Sequence, residues 1–318
     1  MKLFFFLVLL SLAAQSQTPF ERAEQFYRAE NFSKAKPLFE AYLKENPNDA
    51  MTREYLGDIA GYDKEWDLAL SYFETLVAEN TTNATYHFKY GAVLGMKALT
   101  VNKLRGAFYI SDIKKHFETA ARLDPNHIEV RWALVEFYIQ LPGIIGGSEE
   151  KAILYANELA AISPVDGHLA NGYIAEYNDR PKDAERFYKQ AIAVGGSVHT
   201  YDTLTSFYEN TNRPEEALEN TKECLAVHND RNALHYQIGK ITAQYNLDAR
   251  LGISCLKKYL KNHSVKDGVP KDWAYLRLAQ IYKNKGNKYK ALSWIDKALQ
   301  ERPSFTEAIT EKELIEAL

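Results

Sequence analysis

The apolar residues of this chain recur at the spacing of a helix face. Ala35, Phe39 and Tyr42 are separated by intervals of four and three residues. Such intervals place side chains on one side of an α-helix, with polar residues on the other side. Pro47 follows shortly afterwards and would end the helix, because proline cannot continue it. The pattern predicts an amphipathic helix that stops before a proline.

The same pattern occurs again further along the chain. Copies begin at Ala152 and Ala291, and a stretch rich in aromatic residues with a small residue, such as Gly57, precedes a copy. Self-similarity at a period of roughly 34 residues indicates stacked helical hairpins, none of which can bury its apolar face alone. The sequence therefore predicts an all-α fold, an α-solenoid of about eight hairpins.

The hairpins can be placed along the chain from their small residues and prolines. They are predicted at 18–47, 50–83, 84–125, 128–164, 167–196, 198–229, 232–264 and 272–303, within one solenoid over 17–318. A helix over 305–318, with one apolar and one polar face, is expected to cover the apolar end of the array. Extra residues around 96–107 predict a lengthened helix or a protruding loop, and a second insertion lies at 142–148. Ser148 is the predicted N-cap of the helix that follows.

These positions resemble the tetratricopeptide repeat family, which has small, bulky and proline residues at fixed places in each repeat. The resemblance covers nearly all of 17–318. It implies a right-handed superhelix whose concave face is lined by the first helix of each hairpin and holds a peptide or protein. The extended third hairpin and the 142–148 insertion are also similar to those of exported bacterial repeat proteins of unassigned function.

Some members of this family clamp the C-terminal carboxylate of chaperones with Lys, Asn and Arg on successive first helices. The corresponding positions in this chain hold a different set of side chains. They are Glu54, Asp58, Phe88, Ala92, Trp132 and Glu136. The carboxylate clamp is therefore not expected here.

Composition narrows the classes of partner. A hydrophobic content of 46% and a charged content of 25% are those of a folded soluble protein. The 21 Tyr and 15 Phe residues suit rings that fill the space between hairpins. The net charge of −3, without a dense basic patch, argues against nucleic acid as a partner.

The first residues read as an export signal. Lys2 provides the positive charge, and residues 3–14 are an apolar run interrupted only by Ser11. Ala14 and Ser16 then form a small-x-small cleavage site before Gln17. The predicted signal peptide is 1–16, and the protein is expected to be periplasmic or secreted. An uncleaved anchor is the alternative, although the run is shorter than a membrane span.

The usual signatures of catalysis are missing. No nucleophile elbow, Ser-His-Asp order or His-Glu-x-x-His element occurs, so the chain is not expected to be an enzyme or to hold a cofactor. The segment 143–148 lacks the Gly-Lys-Ser/Thr ending of a phosphate loop. It is either a tight inter-helix loop or an anion site at a helix start.

Cys224 and Cys255 are either small packing residues or a disulfide. No metal site is expected, although a shared ion or a pH-sensitive contact is conceivable for His168 and His199.

Side chains predicted to face the groove form the candidate partner-binding site. They are Phe88, Trp132, His168, Asn171, His199, Asp202, Tyr236, Lys240, Trp273, Arg277 and Gln280. Large rings and arginines dominate binding hot spots. For each of the rings, packing between repeats is the alternative interpretation.

Taken together, these features predict a non-catalytic scaffold of the cell envelope that binds a protein or peptide in its groove. A carbohydrate- or cell-wall-binding protein, with rings stacked on sugars, is the first alternative. An accessory subunit of an envelope enzyme, docked through 142–148, is the second.

Overall fold

The structure is a computed structural model that describes residues 18–318. Within that range every regular element is helical, which confirms the predicted all-α fold class. The helices are α1 (Pro19–Arg28), α2 (Phe32–Glu45), α3 (Ala50–Tyr62), α4 (Trp66–Glu79), α5 (Ala84–Thr100), α6 (Lys103–Ala107), α7 (Ile110–Leu123), α8 (Ile128–Gln140), α9 (Glu149–Ile162), α10 (Pro164–Tyr177), α11 (Pro181–Gly195), α12 (Val198–Asn210), α13 (Pro214–Val227), α14 (Ala233–Gln244), α15 (Ala249–Asn262), α16 (Lys271–Asn284), α17 (Lys288–Glu301) and α18 (Thr306–Glu316).

The chain folds as two compact units, the first ending at Tyr155 and the second beginning at Ala156. In each unit, consecutive helices pair as hairpins and each hairpin packs on the next along the chain. The second unit ends with α18, which packs on α16 and α17. Ala308 and Ile315 of α18 are buried there, and Glu307 and Glu313 are exposed.

In several hairpins a small residue on the first helix packs against a large one on the second. A Cβ atom on Gly57 would lie 2.7 Å from the Phe73 ring, and one on Gly172 would lie 2.4 Å from the Tyr188 ring. Glycine is therefore required for the two helices to approach this closely. The loss of helix propensity, about 1 kcal/mol per glycine, is offset by burial of the ring.

Aromatic rings also join neighbouring hairpins. In the first unit the Tyr55 ring of α3 stacks on Phe39 of α2, with 4.9 Å between centroids, and lies 4.5 Å from Tyr27 of α1. Phe39 is fully buried. Ring pairs at these distances stabilise the stack beyond the area that they bury, which accounts for the abundance of tyrosine and phenylalanine.

Most hairpins share one turn between their two helices. Glu30, Lys64, Asp179, Asn212, Asn246 and Gly286 occupy it, and all six have left-handed backbone with φ between 54° and 69°. In each case the residue that follows donates its N–H to a carbonyl near the end of the first helix, as Glu65 does to Ala60 at 2.8 Å. Such a bond satisfies a carbonyl that the helix end would otherwise leave unpaired.

The third and fourth hairpins carry the two insertions. The extra residues near 96–107 lengthen α5, which is one of the two predicted forms, and add the short helix α6 in place of the predicted loop. The second insertion forms a 3-10 turn, Gly143–Ile145. Ser148 then caps α9, because its Oγ accepts the Lys151 N–H at 3.2 Å. The predicted cap and tight loop are thus observed.

The two cysteines are buried and free, so they are packing residues and not a disulfide. Burial raises the pKa of the Cys224 thiol to about 11 and also raises that of Cys255. Neither thiol is therefore poised to act as a nucleophile.

The predicted signal peptide lies outside the described residues. Between residues 18 and 318, no helix has the combination of length and apolar character that crossing a membrane requires.

A pair of buried histidines joins α5 to α7 in the first unit. The Nδ1 atoms of His87 and His116 are 2.9 Å apart, and His87 Nε2 lies 3.1 Å from the Thr81 carbonyl oxygen. The Thr81 carbonyl accepts from His87 Nε2–H, so His87 Nδ1 is the acceptor and His116 Nδ1–H the donor, and the two rings cannot both be protonated without losing this bond. Burial, and then His87, lower the pKa of His116 to about 4, with Lys115 acting in the same direction and Asp112 against it.

This pair is expected to make stability depend on pH. The unfolded chain binds a proton at His116 near pH 6.5 and the folded chain does so only near pH 4. Stability is therefore lost as pH falls through this window, by about 2–3 kcal/mol. Urea unfolding of wild type and His116→Asn from pH 7 to pH 4 checks this. The variant should show the shallower slope, and equal slopes would contradict it.

Candidate functional site: a groove in the second unit

An open groove lies between the first helices α10 and α12 of the second unit. Its volume is about 450 Å³. One wall is α10, the other is α12, and rings from α11 and α12 line its base. The lining residues are Tyr173, Glu176, Tyr188, His199, Asp202, Thr203, Ser206, Phe207 and Asn210, and together they are called the α12 groove below.

One stripe of α12 provides the exposed residues of the α12 groove. His199, Asp202, Ser206 and Asn210 are spaced by three or four residues and are all exposed. The spacing puts them on one face of the helix. Phe207 and the buried Tyr188 provide the apolar base. A mixed surface of this kind, an apolar base with a few polar groups, is typical of a peptide-binding groove.

Two carboxylates give the α12 groove its electrostatic character. Glu176 accepts a hydrogen bond from the Tyr188 hydroxyl at 2.7 Å, which fixes its position. The Asp202 carboxylate forms no hydrogen bond or ion pair with any residue in 18–318. Although Asp202 is exposed on α12, neighbouring side chains shield its carboxyl partly from water and raise its pKa, and His199 and Lys240 act in the opposite direction. An acidic group in this setting would gain from a hydrogen-bonding cation.

His168 and Asn171 of the predicted site do not line the α12 groove. Both are half-buried on α10, and the Asn171 amide donates to the Gly167 carbonyl of its own helix at 2.8 Å. The reason is the register of this hairpin. Gly172 is the residue packed on Tyr188, so Tyr173 and Glu176 face the groove and His168 lies on another side of the helix. This placement corrects the predicted one.

Lys240 of α14 pairs with Glu209 of α12, with 3.1 Å between Nζ and a carboxylate oxygen. The two residues are 31 positions apart. The same separation relates hydrogen-bonded first helices in the first unit, where Tyr27 donates to Asp58 at 2.8 Å and Lys89 donates to Asp58 at 2.6 Å. Equivalent positions of successive repeats are roughly 34 residues apart. Each of these polar residues therefore pairs with a residue of the next first helix that comes about one helical turn before its own equivalent position.

Tyr236 is not an open groove ring. It is only 7% exposed and packs 5.4 Å from the Tyr259 ring, beneath Ala274 and Leu278 of α16. Burial raises its pKa, although Arg277 favours the ionised form. A ring at this place fills the gap between α14 and α16, so the expectation of an exposed tyrosine is corrected.

Three predicted residues of α16 are engaged with the C-terminal end of the second unit. The Trp273 ring lies 4.7 Å from Phe305, and the Arg277 and Arg302 guanidinium groups lie 5.6 Å and 5.8 Å from its centroid. Gln280 accepts from Arg277 at 2.9 Å and donates to Glu311 of α18 at 3.3 Å. These contacts hold the cap to the array.

The two predicted rings of the first unit, Phe88 and Trp132, are both partly covered by the protein. Phe88 is half-buried, 5.2 Å from the His127 ring and 6.0 Å from Phe117. It therefore packs toward α7 and the turn before α8. Trp132 is half-buried on α8. Binding of a partner by any of the predicted residues stays a prediction.

The α12 groove contains several residues that the prediction did not include. Ser206 and Asn210 continue the stripe begun by His199 and Asp202, and the three- and four-residue spacing of α12 is the signal that would have found them. Within residues 18–318, no group of three or more His, Cys, Asp or Glu side chains is arranged to hold a metal ion.

Comparisons with known proteins agree on the class of repeat. Residues 20–84 and 274–305 each match a family model described as tetratricopeptide repeat. A stretch of 128 residues is 31% identical to human Protein O-mannosyl-transferase TMTC1, covering 40% of this chain. The match spans only 14% of the length of that protein.

Solved structures with similar helix arrangements are distant in sequence. A tetratricopeptide repeat protein from Parabacteroides merdae is 13% identical, with 93% of this chain and 97% of that chain covered and a TM-score of 0.48. YrrB, described as a TPR protein with an unusual peptide-binding site, is 16% identical, with 62% and 97% covered and a TM-score of 0.43. A protein from Thermus thermophilus is 19% identical, with 70% and 96% covered and a TM-score of 0.42.

Proposed function

We propose that this tetratricopeptide repeat protein is a non-catalytic scaffold that binds a segment of another protein in the α12 groove. The repeat fold itself is typical of protein–protein interaction. The observation that supports a binding site here is the exposed polar stripe of α12 above an apolar base. A groove held by packed helices is rigid, which limits the entropy lost when a peptide binds.

The chemistry of the groove favours a basic segment. Glu176 is oriented by the Tyr188 hydroxyl, and the Asp202 carboxylate has no ion-pair partner within the described residues. A lysine or arginine in the bound segment would supply one. Charge-assisted hydrogen bonds of this kind are stronger than neutral ones.

The structure gives less support to sugar binding than the sequence did. Stacking on a sugar needs an exposed ring face. Tyr236 is buried, and the Trp273 ring is engaged by Phe305 and Arg302. Transfer of mannose is not proposed either, because the aligned part is a small fraction of the human transferase.

Selection from a displayed random-peptide library tests the proposed groove. We expect selected peptides to be rich in Lys and Arg. Ser206→Arg should weaken their binding by at least about tenfold, because it fills the groove and adds a like charge. Ser254→Arg, on an exposed face of α15, is the matched control and should bind as wild type does.

Three results would contradict the proposal. One is recovery of no peptide, another is selection without basic residues, and the third is equal binding by Ser206→Arg and wild type.

Envelope localisation is part of the proposal and is supported by the pattern of residues 1–16. Fractionation of the native cell, followed by N-terminal sequencing, tests it. A mature chain that begins at Gln17 in the envelope or secreted fraction is expected. A cytoplasmic chain that retains Met1 would overturn it.

A further inference from the structure

Between α5 and α7, the third hairpin of the first unit carries a group of exposed apolar side chains. Leu99 is 80% exposed, and Leu104 and Phe108 are each 81% exposed. Met96, one turn before Leu99, is exposed as well. Residues 96–108 are called the α5–α6 tip below. Clustered large apolar side chains on a surface usually mark a contact with another molecule.

The α5–α6 tip is a folded segment. Asn102 caps α6, since its side chain accepts the Arg105 N–H at 3.0 Å. A Cβ atom on Gly106 would lie 3.0 Å from the Ala98 carbonyl oxygen, so α6 folds back closely on the end of α5. Lys97 pairs with Asp67 at the start of α4. Leu104 and Phe108 are four residues apart and project from one side of α6.

Positive charge surrounds these apolar side chains. Lys103 and Arg105 are exposed, and neither forms an ion pair within residues 18–318. Residues 96–115 contain five Lys or Arg and one Asp, a net charge of +4. The whole chain has a net charge of −3. The charge of this segment is therefore opposite to that of the protein as a whole.

We propose that the α5–α6 tip binds the surface of an anionic lipid bilayer. Leucine and phenylalanine bury themselves at the boundary between headgroups and acyl chains, and nearby cations pair with lipid phosphates. Leu104 and Phe108 would insert, with Lys103 and Arg105 at the headgroups. An apolar pocket on another protein would use the same leucine and phenylalanine but has no need of unpaired cations beside them.

This attachment is separate from the α12 groove, because the tip belongs to the first unit and the groove to the second. No residue is common to both. Failure of one proposal leaves the other standing.

Co-sedimentation with vesicles tests the proposal. The chain used begins at Gln17, so that the apolar residues 3–14 do not contribute. Vesicles of phosphatidylcholine with about one third phosphatidylglycerol are compared with pure phosphatidylcholine. We expect binding to the anionic vesicles only, weakened when salt is raised from about 0.1 M to about 0.5 M.

Variants separate the two contributions. Leu104→Ser/Phe108→Ser and Lys103→Glu/Arg105→Glu should each lower the bound fraction by at least about fivefold. Val265→Ser/Tyr289→Ser removes equally exposed apolar groups from the second unit and should bind as wild type does.

The absence of vesicle binding by wild type would overturn the proposal, as would unchanged binding by either tip variant. Self-association that Leu104→Ser/Phe108→Ser abolishes, without vesicle binding, would assign the tip to a second copy of the chain instead. Circular dichroism confirms that the variants fold.

Discussion

Gly172→Ala is expected to destabilise the second unit by about 2–3 kcal/mol, although alanine is the better helix former. The added Cβ would lie 2.4 Å from Cε1 of Tyr188 and 2.6 Å from its Cδ1. The ring has little room to move, because its hydroxyl is bonded to Glu176 and its centroid lies 5.7 Å from that of the Phe207 ring, in an edge-to-face contact. The helices α10 and α11 must therefore separate.

Gly95→Ala is the matched control. Gly95 also lies within a helix, α5, but a Cβ atom there would have no neighbour within 4 Å. Only the helix propensity changes, so this variant should gain up to about 1 kcal/mol. Urea unfolding followed by circular dichroism measures both. The two alanines should shift the midpoint in opposite directions, and a stabilising Gly172→Ala would mean that Tyr188 does not occupy the space assigned to it.

These small–large pairs were also the most predictable part of the fold. Gly57 and Phe73 are 16 residues apart, as are Gly172 and Tyr188, so a fixed separation identifies the hairpins in the sequence. In the third hairpin Gly91 packs on Phe117, which lies ten residues further along the chain than a separation of 16 would place it. The ten residues are the insertion that forms the end of α5 and α6.

The orientation of side chains within a hairpin was harder to predict. The small residues Gly172 and Thr205 of successive hairpins are 33 residues apart, not 34. An error of one or two residues rotates a helix position by about 100–200°. This is why His199 and Asp202 line the α12 groove while His168 and Asn171 do not.

Whether a ring at a groove position is buried depends on which side chains of the next hairpin pack over it. Tyr236 stands at a position that could face solvent, yet α16 covers it. Nothing in the sequence of α14 alone indicates this. The polar pairs 31 residues apart are different, because their opposite charges, as in Glu209 and Lys240, can be read directly from the sequence once the separation is known.

The turns were only partly visible in the sequence. Asp179, Asn212, Asn246 and Gly286 are residue types that adopt left-handed backbone readily, whereas Glu30 and Lys64 carry no turn signal of their own. The helices on either side impose that backbone conformation. Local preference is overridden by hairpin packing at these positions.

Arg131 provides the other large expected effect, in the first unit. It is only 3% exposed. Its guanidinium donates to three carbonyl oxygens at the end of α7 and in the turn before α8: Ala121 at 3.1 Å, Asp124 at 2.9 Å and His127 at 3.2 Å. A cation is favourable beside a helix C-terminus. One side chain thus adds a donor to three carbonyls around the α7–α8 turn, one of which, that of Asp124, also accepts the His127 N–H at 3.3 Å.

Arg131→Met keeps the apolar stem and removes the donors. It is expected to cost about 3 kcal/mol, because the hydrogen bonds from a buried charged donor are lost, and such bonds contribute about 1.5–3 kcal/mol each. Arg131→Lys should recover only part of this, since an ammonium group cannot span the three oxygens in the plane that a guanidinium does.

Arg122→Met, on the exposed face of α7, is the control and should change stability by less than about 0.5 kcal/mol. If Arg131→Met unfolds at the same urea concentration as Arg122→Met, the α7–α8 turn does not depend on this side chain. The order expected from the geometry, with Arg131→Met least stable, Arg131→Lys intermediate and Arg122→Met close to wild type, would instead show that one buried cation joins the third hairpin to the fourth.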